Sequence, residues 1–189
     1  NAAVQGHAGA QFNLGALYRD GQGGPQDYTK ARQWFEKAAA QGVAPAQNNL
    51  GLLYYNGQGV PLDYATARQW FEKSAVQGHA RAQYNLGVLY DFGKGVAQDF
   101  ATARQWYEKA AAQGHAGAQN NLGGLYEFGH GVTQDYVRAY MWYSVAADDP
   151  TGDAQKDVAA ENREEIAGRM TSAQIAEARR LASEWKPLK

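Results

Sequence analysis

Apolar residues fall at helical spacing in short blocks, and paired glycines cut each block off. In "APAQNNLGLLYYN", Ala46, Leu50, Leu53 and Tyr54 recur at intervals that put them on one side of an amphipathic helix. Pro45 suits the first turn, where its missing N–H is no loss. Gly57 and Gly59 follow and stop the helix, because glycine readily takes the left-handed conformation that a helix C-terminus favours. Asp63 then offers an N-cap carboxylate for a second helix. That helix, "YATARQWFEKSAVQ", places Tyr64, Ala67, Trp70, Phe71 and Ala75 on its apolar face, and Gly78 ends it. One such pair cannot bury its own apolar face, so pairs must stack on neighbours.

The block is written four times. Leu-Gly stands at 14–15, 50–51, 86–87 and 122–123, and Trp at 34, 70, 106 and 142, a spacing of 36 residues with no insertion. The units read as 8–43, 44–79, 80–115 and 116–151, with 1–7 as the tail of a preceding unit and 152–189 as capping helices. Asp27, Asp99 and Asp135 repeat the cap of Asp63, and Gly42 and Gly114 repeat the stop of Gly78. The expected fold is all-α: a right-handed α/α superhelical solenoid of antiparallel helix pairs. After Ala147 the pattern breaks. "DDPTGD" replaces the Gln-Gly turn, and two closing helices are expected over roughly 153–168 and 172–186. Thr171 and Gln174 fit a capping box for the last one. Ile175, Ala178, Leu181 and Trp185 form its apolar stripe, while Glu177, Arg179, Arg180 and Glu184 suit a face turned to water. The N-terminal end shows no matching cap, so further repeats or a capping segment are expected upstream.

The unit A-x-A-Q-x-N-L-G-x-L-Y-x-x-G-x-G-V-x-x-D-Y-x-x-A-x-x-W-F-x-K-A-A-x-Q-G resembles the Sel-one-like repeat (SLR), a relative of the tetratricopeptide repeat. The likeness covers residues 1–151, and "ENREEIAGRMTSAQIAEARRLASEW" is similar to the C-terminal end of bacterial members. The resemblance implies a non-catalytic superhelix that binds proteins or peptides, as an adaptor in signalling or in bacterial–host contact. Two alternatives stand beside it. One is self-association through the uncapped N-terminal end or the groove. The other is β-lactam binding or hydrolysis, linked to a branch with a disulfide in each repeat; this chain has no cysteine, so that assignment does not carry over.

Four copies in one chain allow scaffold to be separated from message. Places are counted here from the first residue of each unit. The first helix differs at the second place (Gly9, Pro45, Arg81, Gly117), the fifth (Phe12, Asn48, Tyr84, Asn120) and the ninth (Ala16, Leu52, Val88, Gly124). It differs also at the twelfth (Arg19, Tyr55, Asp91, Glu127) and the thirteenth (Asp20, Asn56, Phe92, Phe128). Places two, five, nine and twelve share one helical face. In the tetratricopeptide geometry that the pattern resembles, first helices line the concave surface and these places meet the ligand. The expected groove contacts are therefore Phe12, Arg19, Asn48, Leu52, Tyr55, Arg81, Tyr84, Val88, Asp91, Asn120 and Glu127. A merely solvated face would favour Lys and Glu, whereas aromatics mixed with Arg and acids are typical of hot spots. Phe92 and Phe128, at the helix end, are the aromatics best placed to pack between repeats instead. Asn13, Asn49, Asn85 and Asn121 recur one place after the fifth. Two readings of that row stay open: each amide holds the backbone of an extended peptide, or each bonds a neighbouring turn and fixes the stacking.

Composition narrows the partners. The formal net charge is -1, so nothing singles out nucleic acid, and no apolar run approaches a membrane span. No secretory signal opens the chain, and "NAAVQG" reads as a trimmed or processed start. A cysteine-free chain suits bacterial cytoplasm and periplasm or secretion alike. Other chemistry dissolves on inspection. Asp91-Phe92-Gly93 and Gly93-Lys94-Gly95 mimic kinase and phosphate-loop signatures, yet both glycines align with Gly-x-Gly in every unit. His7, His79 and His115 occupy equivalent turns, on the order of 10 Å apart in stacked helices, too far to share a metal. "DDPTGD" lacks the alternation of an EF-hand loop. Ser183-x-x-Lys186 has no companion motif. Trp34, Trp70, Trp106 and Trp142 read as core by their period, and no cofactor is implied.

Overall fold

A computed structural model describes residues 2–149 and 155–188. Among them every regular element is an α-helix: α1 Ala8–Asp20, α2 Tyr28–Ala40, α3 Ala44–Asn56, α4 Tyr64–Ala75, α5 Ala80–Phe92, α6 Phe100–Ala112, α7 Ala116–Phe128, α8 Tyr136–Ala147, α9 Gln155–Ala167 and α10 Ser172–Glu184. Helix pairs repeat, as in α/α solenoids. Part of "DDPTGD", and with it the end of the fourth unit, lies outside the described residues. None of the described helices is long and apolar enough to cross a membrane.

The chain forms two compact units. The first comprises residues up to Leu89 with Lys94–Val96, and the second comprises Tyr90–Gly93 with everything from Ala97 on.

The turns follow the sequence closely. Asp27, Asp63, Asp99 and Asp135 each cap a second helix, accepting the backbone N–H of Lys30, Thr66, Thr102 and Arg138 at 2.9–3.1 Å. The threonine hydroxyl and then the capped backbone hold the carboxyls of Asp63 and Asp99 below the usual carboxylate range, and the backbone N–H of Lys30 does so for Asp27. Gly57, at φ 65°, ends α3 in the left-handed conformation. Gly95 is needed for a second reason: beyond its φ of 67°, a Cβ there would stand 2.6 Å from Tyr64 Cβ. His79 and His115, in the inter-repeat turns, accept the N–H of Ala82 and Ala118 through Nδ1 at 3.3 Å and so cap α5 and α7. Thr171 and Gln174 form the expected capping box.

Stacking within each unit is sewn by the glutamine four places into each first helix. Gln11, Gln47, Gln83 and Gln119 are all buried, and their amides donate to the carbonyls of Ala3, Ala39, Ala75 and Ala111 at 3.1–3.3 Å. The core of each pair rests on the twenty-eighth place. Phe35, Phe71, Tyr107 and Tyr143 are sealed from solvent, and opposite Phe35, Phe71 and Tyr143 the glycine of Leu-Gly lets the ring approach. The tryptophans, expected in the core, are only half-buried. Residues i and i+1 on a helix point about 100° apart, so one of Trp70 and Phe71 faces inward and the other lies along the rim. Lys37, Lys73 and Lys109 cover Trp34, Trp70 and Trp106, each ammonium 4.2 Å from the ring centroid.

In the second unit, α9 and α10 close over α8. Ile166 and Ala178 are buried against Tyr126, Tyr140 and Tyr143, and Trp185 meets Trp142 edge-on at 6.1 Å. The end of the chain folds back, with Leu188 N–H donating to the Ala112 carbonyl at 2.7 Å.

Candidate functional site

The variable places of the first helices divide into those the fold uses and those it leaves accessible. In the first unit, Phe12 packs on the core, its ring 5.9 Å from that of Phe35. Arg19 ion-pairs with Asp20 and donates to Asn49 Oδ1 at 3.2 Å. Asn48 is buried and accepts from Asn85 Nδ2 at 2.9 Å. Tyr55 stands edge-on to Tyr64, with Lys94 above its ring and bonded to its hydroxyl at 2.6 Å. Leu52, Tyr84 and Val88 are half-buried, whereas Asn13 and Arg81 are exposed.

In the second unit, Asn120 is buried and accepts from Asn162 Nδ2 at 3.0 Å. Asn121 bonds the Tyr107 hydroxyl at 3.0 Å. That hydroxyl also donates to Asp91 Oδ2 at 3.0 Å. One repeat later the arrangement recurs: the Tyr143 hydroxyl donates to Glu127 Oε2 at 2.7 Å, and Arg169 bonds Glu127 Oε1 at 3.2 Å. Burial, then the Glu127 carboxylate, pushes the Tyr143 phenol far above its ordinary range, so it stays a donor wherever the fold persists. Burial raises the Asp91 carboxyl, with the Tyr107 bond working against it.

The twelfth-place acids therefore have an internal task that the sequence reading missed, although its signal was present. Repeats 3 and 4 carry an acid at place twelve and tyrosine at place twenty-eight; repeats 1 and 2 carry no acid and phenylalanine. The asparagine row likewise makes bonds between repeats at Asn49 and Asn85. Asn85→Ala strands the buried Asn48 oxygen and is expected to lower unfolding free energy by about 1–2 kcal/mol in urea titration. An unchanged midpoint would return that amide to ligand contact alone.

Phe92 and Phe128 are 64% and 61% exposed, so neither packs between repeats. They border a cavity of about 420 Å3 in the second unit, which Phe100, His130, Asp91 and Glu127 also line. His130 stacks on Phe100 at 4.5 Å between centroids and lies 5.8 Å from Phe128. Gly124, at the ninth place, leaves the space: a Cβ there would meet only the Tyr143 hydroxyl, at 3.7 Å. Among the described residues, no group of His, Asp and Glu side chains could hold a metal ion. The Ser183 hydroxyl donates to the Arg180 carbonyl at 2.7 Å.

Comparison with known proteins gives a consistent result. A family model described as Sel1 repeat matches residues 8–43, 44–79, 80–115 and 116–149. The crystal structure of a Sel1 repeat protein from Oxalobacter formigenes is similar at 33% identity and TM-score 0.71, over 89% of this chain and 76% of that one. A protective antigen of uropathogenic Escherichia coli, c5321, described as displaying an SLR fold, is similar at 31% identity and TM-score 0.63. That match covers 96% of this chain but 46% of c5321, so this chain spans under half of its length. The immunity protein Pa5087 from Pseudomonas aeruginosa shares the fold at 23% identity and TM-score 0.57, over 97% of this chain and 72% of that one. No curated protein sequence matches the chain.

Proposed function

Because the chain belongs to the Sel1 repeat family, whose members are typically scaffolds for protein interaction, we propose that it is a non-catalytic scaffold binding a protein or peptide through its first helices, with the cavity of the second unit as an anchoring point. The observation that carries this reading is the pair of exposed phenylalanines, Phe92 and Phe128, beside that cavity. Leaving two large rings in water forgoes the stabilisation that burial gives, and clustered exposed aromatics next to a concavity mark interaction sites. On the first unit taken by itself, exposed Asn13 and Arg81 and half-buried Leu52, Tyr84 and Val88 are the first-helix positions open to contacts of their own.

Selection of short displayed peptides on the immobilised protein tests the reading. Binders should emerge, and they should be lost on Phe92→Ala/Phe128→Ala, a variant expected to keep its melting temperature because both rings are already exposed. Failure to obtain binders, or binders indifferent to the double substitution, would overturn the assignment.

A further inference from the structure

The geometry points to a basic side chain, lysine or arginine, on a partner polypeptide as what the second unit's cavity receives. This rests on the binding role proposed above and specifies what that role selects.

The argument starts from how the chain seats a cation of its own. The fifteenth place of the units holds Gln22, Gln58, Lys94 and His130. From there the side chain reaches back to the aromatic at place twenty-one of the preceding repeat. Gln58 donates to the Tyr28 hydroxyl at 3.0 Å. Lys94 places its ammonium 5.6 Å from the Tyr64 centroid and 4.7 Å from that of Tyr55, whose hydroxyl oxygen accepts its hydrogen bond at 2.6 Å. His130 lies flat on Phe100. Lys94 thus shows the local recipe for a cation: two aromatic faces and an oxygen at the tip.

One repeat on, His130 holds the lysine's place and covers a face of Phe100, so the open aromatic walls of the cavity are those of Phe92 and Phe128. Phe100 stands for Tyr64, and Asp91 stands for Tyr55, so the oxygen at the tip is a carboxylate in place of a phenol. A carboxylate acceptor turns the ammonium's bond into an ion pair, the stronger of the two. Gly124 occupies the place of Leu52 and Val88 and makes room, while Phe92 and Phe128 replace Asp20 and Asn56 and add apolar wall for an aliphatic stem. Glu127 and Glu165 also line the cavity; Arg169 pairs with both from outside the lining. No lining side chain is Lys or Arg. The half-buried Asp91, bonded through its side chain to a neutral phenol, regains on meeting a cation some of what desolvation costs it.

The peptides selected on the wild-type protein supply the test. They should share a Lys or Arg, and replacing it with norleucine should weaken binding about fivefold to tenfold. Asp91→Asn, which keeps an acceptor for Tyr107, should weaken the parent peptide by a similar factor while leaving the norleucine peptide unchanged. Gly124→Val should narrow the cavity beside Tyr143 and reduce the preference for the basic residue at an unaltered melting temperature, since valine already occupies that place at Val88. Peptides that need Phe92 and Phe128 yet carry acidic or purely apolar residues would overturn this inference while the binding role stands. So would a basic preference untouched by Asp91→Asn and Gly124→Val. Failure to select any peptide would overturn both.

Discussion

Replacing Gly51 with alanine is expected to lower stability by about 2 kcal/mol, even though alanine is the better helix former by about 1 kcal/mol. The reason is the ring across the pair. A Cβ at Gly51 would stand 2.5 Å from Phe71 Cδ1, and Phe71 is wholly buried with no free end to swing aside. Interiors packed to crystal density pass such a clash into the backbone. Urea denaturation should show a lower midpoint with an unchanged slope. Phe71→Leu should partly relieve the clash, so the double variant should lose less than the two single losses combined. A rise in stability, as helix propensity alone demands, would sink this account of the Leu-Gly pair.

The second large effect is expected at Glu127. Glu127→Ala removes the acceptor of the buried Tyr143 hydroxyl and one partner of Arg169, at a cost of about 3 kcal/mol. Arg169 is half-exposed and recovers water; the phenol is 2% exposed and cannot. The loss should therefore travel mainly through Tyr143. In a Tyr143→Phe background, which copies Phe35 and Phe71, the same substitution should cost less, with a coupling of about 1–2 kcal/mol. Strict additivity would show that the acid serves something other than the phenol.

Those two sites also show what was and was not legible in the sequence. The helix ends were, because Asp27, Asp63, Asp99 and Asp135 act on backbone three residues away, and such local chemistry survives in a string of letters. The inward ring was not. Period alone places Trp70 and Phe71 on overlapping faces, and only the glycine on the facing helix decides which one enters. The twelfth-place acids misled for a related reason. Variation between copies suggested a changing ligand, whereas Asp91 and Glu127 vary together with Tyr107 and Tyr143 inside their own copies. The cavity beside Phe128 escaped notice because its main ingredient is the absence of a side chain at Gly124.

The bonds described above differ in whether they stay inside one 36-residue block or straddle two. Asp91 with Tyr107, and Glu127 with Tyr143, are inherited intact whenever a block is copied. Gln58 with Tyr28, Lys94 with Tyr64, and His130 with Phe100 belong to the seam, where each half arrives from a different copy. An array of this kind can lengthen by gene duplication while each block keeps the bonds it carries within itself. Each new junction, however, brings together a fifteenth-place and a twenty-first-place residue that were never selected as a pair. Diversification of binding should therefore concentrate at the seams, where one duplication creates a new combination before any point mutation has occurred.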